Sequence, residues 1–438
     1  MLRTSYLQLI VLFLFLGVLS AAAQTKTKKE MEEDAYNALN DEDYATAYVK
    51  FDELSNRYPK EFDYKLKLGI SCLRNPERKE RATEIFTEIK KDYPKFIDAD
   101  YFLGKAYHLN YKFDDAIAIL ENFVKERASS IKKEDKAIVE DAKLIITNCK
   151  NGKMLIDNKV IADIVNLGPP INSDEEQYVP VITTDETILF FTYSGKSSVG
   201  GKLNSSLEPD LIEGKYNEDV YVAYKRPDNI YSEPQGIDAL NTKGNDAAIA
   251  LSPDGQTLFV FYSDAKNSGD IAMSKLVGDE FSKATILNKN INTEYWEGSC
   301  SISGDGKYLY FASERPGGLG GRDIWVSEKK DGDWGPAKNM GPIINTPYDD
   351  DAPFIHPDGI TLFLSSKGHM SIGGYDIMFS IKKDNVWTEP KSMGLPLNTT
   401  EDDRYYVINS KGDRGYFSSD RSGGRGKQDI YTVTPGIL

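Results

Sequence analysis

The spacing of apolar residues changes partway along this chain. Between Lys28 and Lys150, apolar and small residues recur at helical intervals without glycine clusters. Three stretches align: Tyr44, Ala47, Phe51, Leu54 and Pro59; Ala82, Phe86, Ile89 and Pro94; Leu103, Gly104, Tyr107, Phe113, Ala116, Leu120 and Phe123. The small residues Ala47, Ala82 and Ala116, 35 and 34 positions apart, let paired helices approach, and the prolines stop the second helix of a pair. Ile131 to Cys149 predicts one further amphipathic helix that covers the last unit.

Further on, alternation of period two takes over and the chain repeats itself. Asp219-Val220-Tyr221, Asp270-Ile271-Ala272, Asp323-Ile324-Trp325, Asp376-Ile377-Met378 and Asp429-Ile430-Tyr431 start 51, 53, 53 and 53 residues apart, each opening a short apolar run. The third copy predicts four strands, near Ser299 to Ile302, Tyr308 to Ala312, Asp323 to Ser327 and Trp334 to Asn339. They are separated by the turn at Gly304 to Gly306, a glycine-rich loop and a second tight turn. Four short antiparallel strands per period of about 50 residues make a propeller blade.

Closing asparagines at Asn172, Asn241, Asn292, Asn345 and Asn398 mark five units. The last lacks a fourth strand, and Val160 to Asn172, upstream of the first, matches the missing piece. A strand from the beginning of the array is therefore expected to complete the last blade, leaving no open edge. Five blades are expected, or six if Lys153 to Ile156 belongs to another unit.

The turns Ser252 to Gly255 (SPDG) and His356 to Gly359 (HPDG), with GGLGGRDIW and GGYDIM, resemble the Pro-Asp-Gly repeats of TolB-like propellers over roughly Val160 to Val433. The helical stretch resembles tetratricopeptide repeats, without their leading tryptophan. The expected fold is thus an α-solenoid over 28–150 followed by a TolB-like propeller over 153–438. This domain order resembles envelope proteins of Gram-negative bacteria in the OmpA-like group, some of which serve type IX secretion or gliding machinery. The peptidoglycan-gripping carboxy-terminal domain of that group has no counterpart before Leu438.

The first residues carry Arg3, an apolar stretch from Leu7 to Leu19 and the small-residue site Ala21 to Ala23, as a cleaved secretory signal over 1–23 does. This predicts an exported protein of the periplasm or outer membrane, without a membrane span after cleavage. The 68 acidic and 53 basic residues give a net charge of −15, which disfavours nucleic acid and anionic lipid as partners. Three cysteines, Cys72, Cys149 and Cys300, read as buried thiols, with a Cys72–Cys149 bridge as the alternative.

Chemistry is harder to find, because a catalytic group is needed once and most polar residues here recur. The aspartates that open the third strands read as bonds to loop amides. Five positions past each closing asparagine stand Gln177, Asp246, Glu297, Asp350 and Asp403, with Asp349, Asp351 and Asp402 beside two of them. The acids Asp246, Glu297, Asp350 and Asp403 are open to three readings: strand caps, a Ca²⁺ site, or the acid and base of a glycosidase. His108, His356 and His369 lie near no recognisable serine or cysteine nucleophile. An insertion within Gly195 to Asn217 and the residues Arg315, Lys367 and Arg421 are expected on the same face as the acids, as a partner surface. Trp296 is the one tryptophan expected over the channel mouth.

These observations predict a non-enzymatic scaffold that binds envelope proteins or peptides through its helices and one propeller face, with no cofactor unless the acids hold Ca²⁺. A carbohydrate-binding or glycoside-cleaving propeller is the alternative.

Overall fold

The computed structural model describes residues 26–127, 132–203, 214–264 and 267–434. The chain divides into two compact units, Met1–Ser71 and Cys72–Leu438. In the first, α1 (Lys28–Asn40) opens on a capping box formed by Thr27 and Glu30, and α2 (Tyr44–Arg57) opens on the Asp43 carboxylate. Tyr36 meets Phe51 edge to face at 5.2 Å, and Ala35, Ala47 and Leu54 are buried. A third helix, α3 (Phe62–Leu73), runs across the division.

The second unit begins with α4 (Lys79–Asp92), α5 (Asp98–Leu109), α6 (Phe113–Arg127) and α7 (Lys133–Ile156). Ala82 and Ala116 are fully buried, and a Cβ on Gly104 would lie 2.4 Å from the Leu120 side chain, so small residues do set the close approach of helices here. The seventh helix is longer than its sequence pattern suggested. It runs past Cys149 and takes in Lys153 to Ile156, which removes the sixth blade. Cys72, Cys149 and Cys300 are buried free thiols, so the alternative bridge is not formed.

Five four-stranded antiparallel blades follow. Their innermost strands are Glu176–Ile182, Asn245–Leu251, Glu297–Ile302, Asp350–Ile355 and Asp403–Ile408. Closure is as expected: Asp163–Asn166 pairs with Asp429–Thr434, with Ile164 opposite Val433. The fourth strand of the third blade is not the continuous run expected. It is split into Asp333–Trp334 and Lys338–Asn339, as that of the second blade is into Glu280–Phe281 and Thr285–Ile286, and in both a serine of the third strand takes the carbonyl in the gap, Ser327 that of Gly335 and Ser274 that of Ser282.

The closing asparagines have a physical role beyond marking the period. In every blade the side-chain amide bonds both ways to the residue after the repeated aspartate. Asn345 accepts from Ile324 N at 2.7 Å and donates to Ile324 O at 2.9 Å, and Asn172, Asn241, Asn292 and Asn398 do the same to Ile430, Val220, Ile271 and Ile377. A side chain thus imitates one more residue of strand where the real fourth strand has turned away.

Helices and propeller are joined within this unit by buried side-chain bonds to the backbone of the fourth blade's glycine-rich loop. His108 Nε2 donates to Ile372 O (2.7 Å), Asn148 Nδ2 to Gly373 O (2.6 Å) and Asn151 Nδ2 to Ser371 O (2.8 Å). Burial lowers the His108 pKa to about 4, so the imidazole there is neutral. Lys79 also pairs with Glu401.

Candidate functional site

Four of the five repeated aspartates do what their repetition implied. Asp219, Asp323 and Asp376 accept loop amides from Val199, Leu319 and Ile372 at 2.7, 2.7 and 2.8 Å, and Asp429 accepts from Arg425 N. The loops held this way lie tight against the next blade. A Cβ on Gly320 would sit 1.9 Å from Tyr348 O, so no other residue fits there.

The acids five positions past each asparagine are not brought together. Each turns back onto the threonine that follows its own asparagine. Asp246 accepts from Thr242 N and Oγ1, Glu297 from Thr293, Asp350 from Thr346 and Asp403 from Thr399; Gln177 closes the same turn on Ser173. Among the described residues no three His, Cys, Asp or Glu side chains form a group that could hold a metal ion. The geometry thus favours strand caps over a Ca²⁺ ring.

Arg315 and Arg421, expected to face a partner, are instead drawn inside. Arg421 bonds Ser419 Oγ, Pro396 O, Leu397 O and Asp403, with its guanidinium over Phe417 and Tyr431. Arg315 repeats this with Ser313, Asn290 O, Ile291 O and Glu297. In the fourth blade His369 reaches the equivalent carbonyl, Ile344 O, at 2.9 Å, and in the second Tyr262 reaches Leu240 O at 3.1 Å. Different side chains thus fasten one turn. Lys367 keeps partial exposure, paired with Asp349 at 2.9 Å and lying over the Tyr375 ring. Most of the insertion, 204–213, lies outside the described residues; its ends pair as Lys202–Leu203 with Lys215–Tyr216.

Chemistry that occurs once sits one position further along. The residue after each turn-closing side chain is Tyr178, Ala247, Gly298, Asp351 or Arg404, and the residue before each repeated aspartate is Glu218, Gly269, Arg322, Tyr375 or Gln428. At the channel end where the inner strands start, the large members of both sets meet. Asp351 is fully buried and takes Arg322 at 2.9 Å, Arg404 at 3.3 Å and Ser299 Oγ at 2.5 Å. Arg322 lies 3.7 Å over the Trp296 ring; Arg404 lies over Tyr375 and donates to Tyr405 Oη. Trp296 thus borders this cluster, with one face covered by a guanidinium. Tyr178 donates to Glu218 at 2.5 Å.

Environment drives the two carboxyls apart. Burial raises the pKa of Glu218, more than Tyr178 and the arginines lower it. Burial also acts to raise Asp351, but Arg322 and Arg404 outweigh it and hold that group below the usual carboxylate range. The backbone beneath is strained: Val179, Ala352 and Tyr405 have φ of 51, 50 and 58° at bulges in three inner strands. Their amides are caught by Ser418, Ser299 and Ser365 of neighbouring blades.

With this geometry in view, comparison with known proteins adds little. No protein-family model and no curated protein sequence matches the chain. Solved structures that resemble it include TolB from Acinetobacter baumannii (14% identity, 68% of this chain and 69% of that one, TM-score 0.36) and a putative TolB from Agrobacterium tumefaciens (13%, 63% and 98%, 0.37). An α-L-arabinofuranosidase from Lactobacillus brevis is similar to the same degree (12%, 61% and 92%, 0.40). Likenesses this distant transfer no activity.

Below the mouth the channel is apolar. A cavity of about 260 Å³ runs from Ser299 and Tyr405 to the turns at Pro253 and Pro357, and no charged side chain lines it. Buried in its wall, Cys300 has its thiol pKa pushed up by desolvation and is no nucleophile. His356 is held in its turn, where Nδ1 accepts from Asp358 N.

Proposed function

We propose that the protein is an exported, non-enzymatic scaffold of the Gram-negative envelope, periplasmic or associated with the outer membrane, that binds protein partners through its helices and the mouth face of its propeller. The observation that carries this reading is the fixed union of helices and propeller: three buried side chains of α5 and α7 bond the backbone of one propeller loop. Such bonds hold two dissimilar surfaces in one orientation, which suits a protein that brings partners together. At the mouth, Arg322 and Arg404 share the Asp351 carboxylate, so these ionisable groups support structure before they support turnover. The tetratricopeptide-like register of Ala47, Ala82 and Ala116 agrees with a partner-binding array.

A second reading, a glycan-binding or glycan-cleaving propeller, has one specific observation in its favour. Glu218 and Asp351 are carboxyls with oppositely shifted pKa values beside Trp296, Tyr375 and Tyr405, as an acid and base beside a sugar platform would be. The deciding experiment pairs crosslinked capture from envelope fractions with turnover assays on a panel of glycans, using the full chain and Glu218→Gln. Reproducible envelope partners without turnover support the scaffold; turnover abolished by Glu218→Gln establishes the enzyme instead.

A further inference from the structure

A groove lies between α7 and the loops of the third and fourth blades, with a volume of about 740 Å³. That is within the range of ligand pockets. Large apolar side chains are exposed along it: Leu319 at 41%, Ile343 at 44% and Tyr348 at 43%, with Pro342 and Pro347 also exposed and Trp387 half-buried. Leu144 of α7 forms the opposite wall. Leu319 lies in the glycine-rich loop that Asp323 holds by its backbone amide, and Ile343 and Tyr348 flank the turn closed by Asp350, so these side chains are displayed on rigid backbone.

The imidazole, ammonium and amide side chains of the groove are already occupied, and one carboxylate is not. His369 donates to Ile344 O, and desolvation lowers its pKa, which keeps it neutral. Asn148 donates to Gly373 O, and the Lys367 ammonium is paired with Asp349. Glu389 is exposed and has no ion pair among the described residues. The groove is therefore apolar with one uncompensated negative charge, on a chain whose net charge is −15.

We propose that this groove docks an extended segment of a partner protein that carries two apolar side chains and a lysine or arginine. The apolar side chains lie along Leu319, Ile343, Tyr348 and Trp387, and the cation meets Glu389. The inference rests on the scaffold reading and gives one of its surfaces a ligand chemistry.

The test is to pan a displayed library of random linear peptides against the immobilised full chain, then titrate a synthetic copy of the enriched peptide by fluorescence anisotropy. Enrichment of apolar-basic peptides is expected. Ile343→Asp and Leu319→Ser, both at exposed positions, should each weaken binding about tenfold or more, and Glu389→Lys should turn the preference toward acidic peptides. Circular dichroism of each variant separates lost binding from lost fold. Peptides bound equally by the parent and Ile343→Asp would overturn the groove while leaving the scaffold reading to the envelope capture. No enrichment at all, or a concentration-dependent dimer that Ile343→Asp abolishes, would also overturn it, the latter by assigning the groove to a second copy.

Discussion

Asp350 and Asp351 are neighbours in sequence, both fully buried, and have opposite chemistry. Asp350 belongs to the repeated set that closes turns. It accepts from Thr346 and Ser366, has no cation beside it, and burial pushes its pKa up to about 7. Asp351 belongs to the set that occurs once, and two guanidiniums keep it ionised. The contrast shows that density of acid in a repeat protein is a poor guide to a site. Position relative to the repeat is a better one, because a residue that departs from its four counterparts is not explained by the blade.

The largest effect that would sharpen this contrast comes from Asp351→Asn, which leaves the half-buried Arg404 without its carboxylate partner and Arg322 with only the exposed Glu314. A loss of about 3–5 kcal/mol is expected on chemical denaturation. A loss below about 1 kcal/mol would mean that the Asp351 ion pairs add little to the stability of the propeller. Next is Arg421→Ala, which strips Asp403 of its cation and two carbonyls of their donor, at a cost of about 2–3 kcal/mol. Asn345→Ala removes the imitation strand residue opposite Ile324 and should cost about 1–2 kcal/mol by the same measurement.

The pH dependence tests the repeated set directly. Since the folded pKa of Asp350 lies above the ordinary value of 3.8, the folded state holds that proton more tightly than the unfolded chain. Stability from this group is present below about pH 4 and is lost as pH rises through about 7. Asp350→Asn abolishes that loss, so the variant should gain on the parent across this window; parallel stability curves would refute the assignment. The smallest effect concerns the ion. Added Ca²⁺ should leave the melting temperature unchanged, and a clear rise would restore the ring of acids as a site.

Periodicity carried most of the propeller. The closing asparagines gave the blade count, and the match between Val160 to Asn172 and the fourth-strand segments gave the closure, because both are fixed by backbone hydrogen bonding common to every blade. The union of α7 with the fourth blade was not legible: Asn148 and Asn151 are ordinary polar residues in a helical pattern until a loop carbonyl lies opposite each. Arg315 and Arg421 misled for a related reason, since a long charged side chain reads as surface unless the facing carbonyls are known. The mouth cluster did leave a signal, in the positions flanking the repeated acids, where Tyr178, Asp351, Arg404, Glu218 and Arg322 break the pattern.

The pairing of Asp163–Asn166 with Asp429–Thr434 also sets an order of events. The first strand of the array waits for the strand of the fifth blade, so while the propeller is being synthesised the ring has no means of locking. Blade four, which anchors α5 and α7, likewise emerges late. The propeller thus stays an open chain of blades until its fifth blade has been made, and its cooperative fold is acquired late and at once rather than blade by blade.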